Sequence, residues 1–139
     1  MVYGGNHDDG TRYFVLFIDE TLLDPISPIY KRLKELGYEP DPNQSECVNI
    51  EGVPVQSLPV YNVLLNDAMH NARSFDYEDV PTKVLSAEHL AAICVQTGRI
   101  KDKIRVEMFL RSRQFDKEMF LSILDKCQLR ERFSAWNLM

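Results

Sequence analysis

Apolar positions recur with a helical period most clearly in Ser86–Asp102, SAEHLAAICVQTGRIKD, where Leu90, Ile93, Cys94 and Thr97 fall at i, i+3, i+4 and i+7 on one face. Ser86 stands where an N-cap hydroxyl accepts a backbone N–H, and Gly98 supplies the left-handed residue that ends the helix. After Arg99 and Ile100, Lys101 and Asp102 open a second helix, whose Ile104, Met108 and Phe109 are expected to pack back on the first. The pattern predicts a helix pair closing on itself.

The rest of the chain divides by the same test. Met1 to Gly10, MVYGGNHDDG, has no period and reads as a loop or tail. Arg12 to Ile18, RYFVLFI, is aromatic and β-branched throughout, which suits a central strand covered on both faces. Ser27 caps a helix with Pro28 at its first position, Ile29, Leu33 and Leu36 as its buried stripe, and Gly37 as its stop. Glu46 to Ile50 pairs with Val53 to Leu58 as a hairpin across Glu51 and Gly52, and Pro54 predicts an edge or an irregular start for the second strand. Asn62 to Ala72 reads as a helix with Leu64, Leu65 and Met69 inward. Ser74 to Glu78 and Thr82 to Leu85 read as short strands around an Asp79-Val80-Pro81 turn. Phe115 and Phe120 flank Asp116 as a hydrophobic staple flanks its N-cap, starting a helix with Leu121, Leu124 and Cys127 inward. Phe133 and Trp136 anchor the final segment as lids on the core.

These elements make an α+β fold. A small mixed sheet is built from Arg12–Ile18, Cys47–Ile50, Val53–Leu58 and the strands near 74–85, backed by helices, with a C-terminal helical bundle. At 139 residues the chain is expected to be one domain, its sheet-containing part at 1–85 and its C-terminal helices at 86–139.

Composition narrows the function classes. Apolar and charged fractions of 45% and 27% are those of an ordinary globular protein. No apolar run reaches the ~20 residues that span a bilayer, and the N-terminus lacks a signal-peptide layout, so the expectation is a cytoplasmic protein with no membrane partner. A net charge of −5 gives no general attraction to nucleic acid. Cys47, Cys94 and Cys127 are widely spaced in apolar settings, so buried thiols are favoured over zinc ligation or disulfides. His7, Asp8 and Asp9 are more simply a solvated loop than a metal site.

The stretches EGVPVQSLPVYN, PTKVLSAEHL and SAEHLAAICVQTGRIKD together resemble small bacterial and archaeal nucleotidyltransferase-fold proteins, relatives of the minimal nucleotidyltransferases, over Thr11 to Trp136. The resemblance implies a nucleotidyltransferase-type sheet, with catalysis by two metal ions held on acidic side chains. Active members carry two Asp residues two apart on one strand, in a pattern close to T-K-D-x-D-x-F-V. Tyr13 and Val15 stand at those positions here, and Gln56 stands where a third carboxylate is expected. Val2-Tyr3-Gly4-Gly5 is similar to the family's phosphate-holding turn, but the five residues Asn6 to Gly10 leave no room for the helix that follows it.

No catalytic residue and no metal ligand is therefore assigned, and no cofactor is expected. Thr11, Arg12, Arg99 and Lys101 are the positions that the resemblance offers for phosphate binding. For Arg99 and Lys101 the competing expectation is that Lys101 and Asp102 only decorate the first turn of a helix, with Asp102 in a surface pair with Arg105 or Lys101. His89, at N3, is first a partly exposed structural histidine and second an acid–base group. Asp19 and Glu20 leave opposite sides of the chain, whereas Asp76 and Glu78 share a strand face, most simply a solvated one. Tyr13 has no identifiable base to activate it as a nucleophile. The reading is a degenerate superfamily member acting as a non-catalytic binding or protein-interaction module, forming a homodimer or meeting a protein partner, as in a toxin–antitoxin-like or regulatory pair. The alternative is an active enzyme moving a nucleoside monophosphate from a magnesium-bound nucleoside triphosphate to a protein, RNA or small-molecule acceptor.

Overall fold

The computed structural model describes residues 2–6, 12–18, 27–42 and 47–139. The fold is α+β, with a mixed sheet and a set of C-terminal helices. The chain forms two compact units: Met1–Tyr61 with Arg73–Val84, and Asn62–Ala72 with Leu85–Met139. The sequence pattern starts the helical part at residue 86; residues 62–72 join that part as well. His7, Asp8, Asp9, Thr11, Asp19 and Glu20 lie outside the described residues.

The first unit holds strands β1 (Val2–Asn6), β2 (Arg12–Ile18), β3 (Glu39–Pro40), β4 (Cys47–Ile50), β5 (Val53–Pro59), β6 (Arg73–Tyr77) and β7 (Val80–Val84), and helix α1 (Ser27–Glu35). Their order in the sheet is β3-β4-β5-β2-β1-β7-β6. The β2–β5 and β1–β7 pairings are parallel and the others antiparallel. Residues 2–6 are therefore strand, not the loop that their composition suggested. β2 lies inside the sheet and has two edges to satisfy, and the backbone of β1 fills one of them from Val2↔Leu16 to Asn6↔Arg12. Gly4 and Gly5 pair with Phe14 and Tyr13 in that ladder, so they do not form a turn leading into a helix.

Two hairpins share one local design, Glu-x-Val-Pro. Glu51 and Gly52 have φ of 50° and 84°, and Glu78 and Asp79 have φ of 47° and 65°, so both central residues of each turn are left-handed, as a type I′ turn requires. The closing pairs are Ile50↔Val53 and Tyr77↔Val80. A proline follows each, Pro54 opposite Asn49 and Pro81 opposite Asp76, in the pair where the missing N–H would point away from the hairpin partner. Of the two expectations for Pro54, the edge is corrected, since β5 is an interior strand, and the irregular start holds, since pairing with β2 begins only at Val55. The second turn is Glu78-Asp79, with Val80 and Pro81 in β7, so Asp76 and Glu78 do not share a strand face.

Helix α1 ends as its sequence predicts. Gly37, at φ 90°, donates to Lys34 O, and Tyr38 donates to Leu33 O, the paired bonds of a Schellman motif. Ile29 and Leu33 are half-buried, but Leu36 is exposed because it lies past the last helical turn.

The second unit contains α2 (Val63–His70), α3 (Ala87–Thr97), α4 (Ile100–Arg111), α5 (Lys117–Lys126) and α6 (Arg130–Ser134). Helix α3 is the hub, touching α2, α4, α5 and α6. Ser86 accepts the His89 N–H at its start, and Gly98 ends it at φ 73°. Its buried residues are Glu88, His89, Ala91, Ala92, Cys94 and Val95, whereas Thr97 is exposed and Leu90 and Ile93 are half-buried. The expected stripe is thus rotated, because a helix packed on several sides needs small residues at its contacts rather than one broad apolar face.

Around α3 the core gathers Leu64, Val95, Val106, Phe120 and Leu124, all nearly or fully inaccessible. Phe115 meets Phe120 at a tilt, 5.3 Å between centroids, and Phe120 meets Phe133 edge to face at 5.1 Å, so the predicted staple is present, with Asp116 accepting the Met119 N–H. Phe133 and half-buried Trp136 close the core, as their sequence placement suggested. Helix α4 differs from expectation: Asp102, Val106 and Leu110 face inward, Phe109 is half-buried, and Ile104 and Met108 are exposed. The reason is Asp102, whose carboxylate turns inward and carries the 102-106-110 row with it.

Candidate functional site

The positions at which the resemblance expects acids come together on the sheet. Val15, buried at 6% exposure, is the register partner of Gln56 on the neighbouring parallel strand, so their Cβ atoms leave the same face. Tyr13 is two residues earlier on β2, its backbone opposite Gly5. A magnesium ion takes several oxygen ligands, normally including carboxylate. Valine offers none and the Gln56 amide is neutral, so these side chains do not fit a two-metal centre. Among the described residues no His, Cys, Asp and Glu side chains cluster as a metal site.

The proposed phosphate-binding residues fall in both units. Arg12 lies in β2, with its backbone opposite Asn6. Arg99 is the N-cap residue of α4 and Lys101 lies in that helix's first turn. Arg99 is committed to a carboxylate. Its Nε donates to Asp102 Oδ2 at 2.7 Å, its Nη2 to Oδ1 at 3.1 Å, and its backbone N–H to Oδ2 at 3.2 Å. Arg105 Nη1 reaches Oδ1 at 3.4 Å. Asp102 is 1% exposed, so the expected surface pair is instead a buried carboxylate gripped by a forked guanidinium. The buried Cys94 thiol beside it is pushed up to about 11, first by burial and then by the negative charge of Asp102.

A second polar cluster ties α2, α3 and α5 together. Ser86 Oγ lies 2.7 Å from His89 Nδ1, and His89 Nε2 lies 2.9 Å from Asp67 Oδ2. Lys126 donates to the other oxygen of Asp67. Burial disfavours the charged form of Asp67, but hydrogen bonds from Lys126 and His89 outweigh it and hold the carboxyl below its ordinary range. An ionised carboxylate only accepts, so the His89 Nε2–H donates to Asp67, while Nδ1 is held by the Ser86 hydroxyl. His89 is 1% exposed, which corrects the expectation of a partly exposed ring.

Serine, histidine and aspartate also make up the familiar hydrolase triad, but here Ser86 and His89 are buried, at 6% and 1% exposure, and the Ser86 oxygen also accepts the His89 N–H as N-cap, so the hydroxyl is not presented to a substrate. The arrangement is structural: the Asp67 carboxylate of α2 ties it to His89 of α3 and Lys126 of α5.

Compared with models of known families, with curated proteins and with solved structures, the chain finds no match. Among the described residues, no helix is long and apolar enough to cross a membrane.

Sequence reasoning missed Asp67 and Lys126, which lie 22 and 37 residues from His89 along the chain; only a helix-packing argument could have brought them together. It also missed Glu88, buried in α3, whose Oε1 accepts the Asp116 N–H at 2.9 Å. A signal for Asp102 was present, since Asp at N3 of a helix reaches back to the N-cap N–H.

Proposed function

We propose that this protein is a degenerate member of the nucleotidyltransferase superfamily, working as a non-catalytic binding or protein-interaction module. The observation that supports this reading best is the Val15↔Gln56 register: two neighbouring parallel strands present an isopropyl group and a neutral amide where metal-binding acids are expected. The resemblance of SAEHLAAICVQTGRIKD supplies the family, and the loss of the acids supplies the change of role. A cytoplasmic location fits the same reading.

An interaction role also needs a surface, and β6 with β7 offers one. β6 ends the order of strands, so among the described residues no strand pairs with its outer edge. Phe75 and Val80 on this hairpin are 56% and 59% exposed. The partner in this reading is a second copy of the chain or another protein adding a strand at β6.

Calorimetric titration of ATP, GTP, CTP and UTP, each with magnesium and with manganese, tests the reading. It expects no heat that depends on metal. Metal-strengthened nucleotide binding with pyrophosphate release would replace it with the active-enzyme alternative.

A further inference from the structure

Because Asp102 turns inward with Val106 and Leu110, α4 presents its opposite row outward: Ile100, Ile104 and Met108 are 85%, 54% and 66% exposed. They stand at i, i+4 and i+8 and so form one apolar ridge about 12 Å long. The helical period sets Lys101 along one flank of it, Lys103 and Glu107 along the other, and Arg111 at its end. From Arg99 to Arg113 the chain holds six Lys or Arg and two acids, Asp102 and Glu107, a net +4 within a chain whose net charge is −5. Both acids are answered inside that segment, Asp102 by Arg99 and Arg105, and Glu107 by Arg111 Nη2 at 2.7 Å. Single exposed apolar residues need no explanation, but a row of three inside a basic border is a patch of the kind that partners cover.

We infer that the outer face of α4 docks an acidic amphipathic helix of another protein. A ridge at i±4n spacing is the surface that seats in the groove of a second helix, in the commonest class of helix packing. The positive border selects acidic residues beside that helix's apolar stripe. The same charge argues against a second copy, since α4 laid on α4 would bring the two basic borders together. Nucleic acid has no use for an aliphatic ridge along its phosphates, and a bilayer-seeking face normally carries aromatic residues, of which the exposed row of α4 has none. The inference rests neither on the nucleotidyltransferase reading nor on the edge of β6.

The probe is a designed peptide of about 18 residues with leucines at helical spacing and glutamates between them, and its twin carries lysines in place of the glutamates. Amide chemical shifts of the intact chain are followed as each is added. The acidic peptide is expected to move the amides from Ile100 to Arg111 and to saturate with a Kd on the order of 10–100 µM, and the lysine peptide to move none of them. Ile104→Gln removes the middle of the ridge at unchanged charge and is expected to weaken binding about tenfold; Lys103→Glu keeps the ridge and is expected to weaken it about fivefold. Both side chains are exposed, and either variant carries the test if the other does not fold. Absence of a saturable shift, equal binding of the two peptides, shifts centred away from α4, or undiminished binding by either folded variant would overturn the proposal. Movement of the same amides on concentrating the protein alone would overturn it in favour of a second copy, and movement on adding phosphatidylserine vesicles alone would overturn it in favour of a membrane.

Discussion

His89 Nε2 meets Asp67 Oδ2 at 2.9 Å, and through this contact a helix of eight residues is fastened to the hub of the helical unit. The same carboxylate accepts from Lys126 on α5. Replacing Asp67 with Ala leaves a buried imidazole N–H without an acceptor and is expected to cost about 1–3 kcal/mol in denaturant unfolding. Asp67→Asn, which keeps an acceptor for His89, is expected to cost less.

The pH dependence of that contribution has a definite sign. The folded Asp67 carboxyl lies below its ordinary 3.8, so the stability it confers is whole above that value and drains away as the pH falls through the lower folded value. Lys126 is raised above 10.5 chiefly by its hydrogen bond to Asp67, so its share is whole below 10.5 and is lost as the pH rises through the higher folded value. The stability difference between the native chain and Asp67→Asn is therefore expected to be flat between about pH 5 and 9 and to shrink at both extremes. A difference that grows on acidification would contradict the network.

Arg99 and Asp102 make an asymmetric pair. Asp102 is buried and Arg99 is half-exposed. Removing the arginine strands a carboxylate inside the protein, whereas removing the aspartate leaves a guanidinium that water can reach. Arg99→Ala is accordingly expected to destabilise by about 2–3 kcal/mol and Asp102→Asn by about 1–2 kcal/mol, measured by urea unfolding. The reverse order would show that the contact is peripheral.

The cysteines should separate by reactivity. With its thiol pushed up to about 11, Cys94 holds only about one part in a thousand as thiolate at pH 8, and it is buried as well. Cys127 is raised too, chiefly by burial, but it is half-exposed at the end of α5. Iodoacetamide labelling of the folded chain, mapped by mass spectrometry, is expected to modify Cys127 well before Cys94.

Strand β6 gives the interaction reading its own test. If the open edge recruits another copy, Ser74→Pro removes an N–H from that edge, and Phe75→Lys puts charge on it. Each substitution is expected to lower the mass seen by sedimentation to that of one chain. A native chain that already sediments as a monomer at high concentration would leave only a foreign partner for β6.

What the sequence revealed, it revealed locally. The Ser86 and Asp116 caps, the Gly37 and Gly98 stops, the Glu51-Gly52 turn and the Phe115–Phe120 staple each depend on residues within a few positions of one another, where side-chain chemistry and backbone preference suffice. The failures needed distant partners. β1 is a strand because β2 offers it an edge, and α4 turns Ile104 and Met108 outward because Asp102 is drawn inward by Arg99. The Glu78-Asp79 turn was misplaced by one step because Pro81 reads as a turn residue, although after a two-residue turn it also fits a strand. Of the candidate site, strand pattern placed Val15 and Gln56 on strands and the resemblance made them neighbours, as their register shows, whereas nothing in the sequence brought Asp67 to His89.

The central claim is that the face shared by Val15 and Gln56 holds no catalytic metal. Its most direct test is paramagnetic: Mn²⁺ is added with ATP to the isotopically labelled protein, and the amides of β2 and β5 are watched for selective line broadening. The Val15 and Gln56 signals are expected to broaden no more than those of distant exposed residues. Strong, saturable broadening centred on those two amides, reversed by excess Mg²⁺, would place a metal ion there and contradict it.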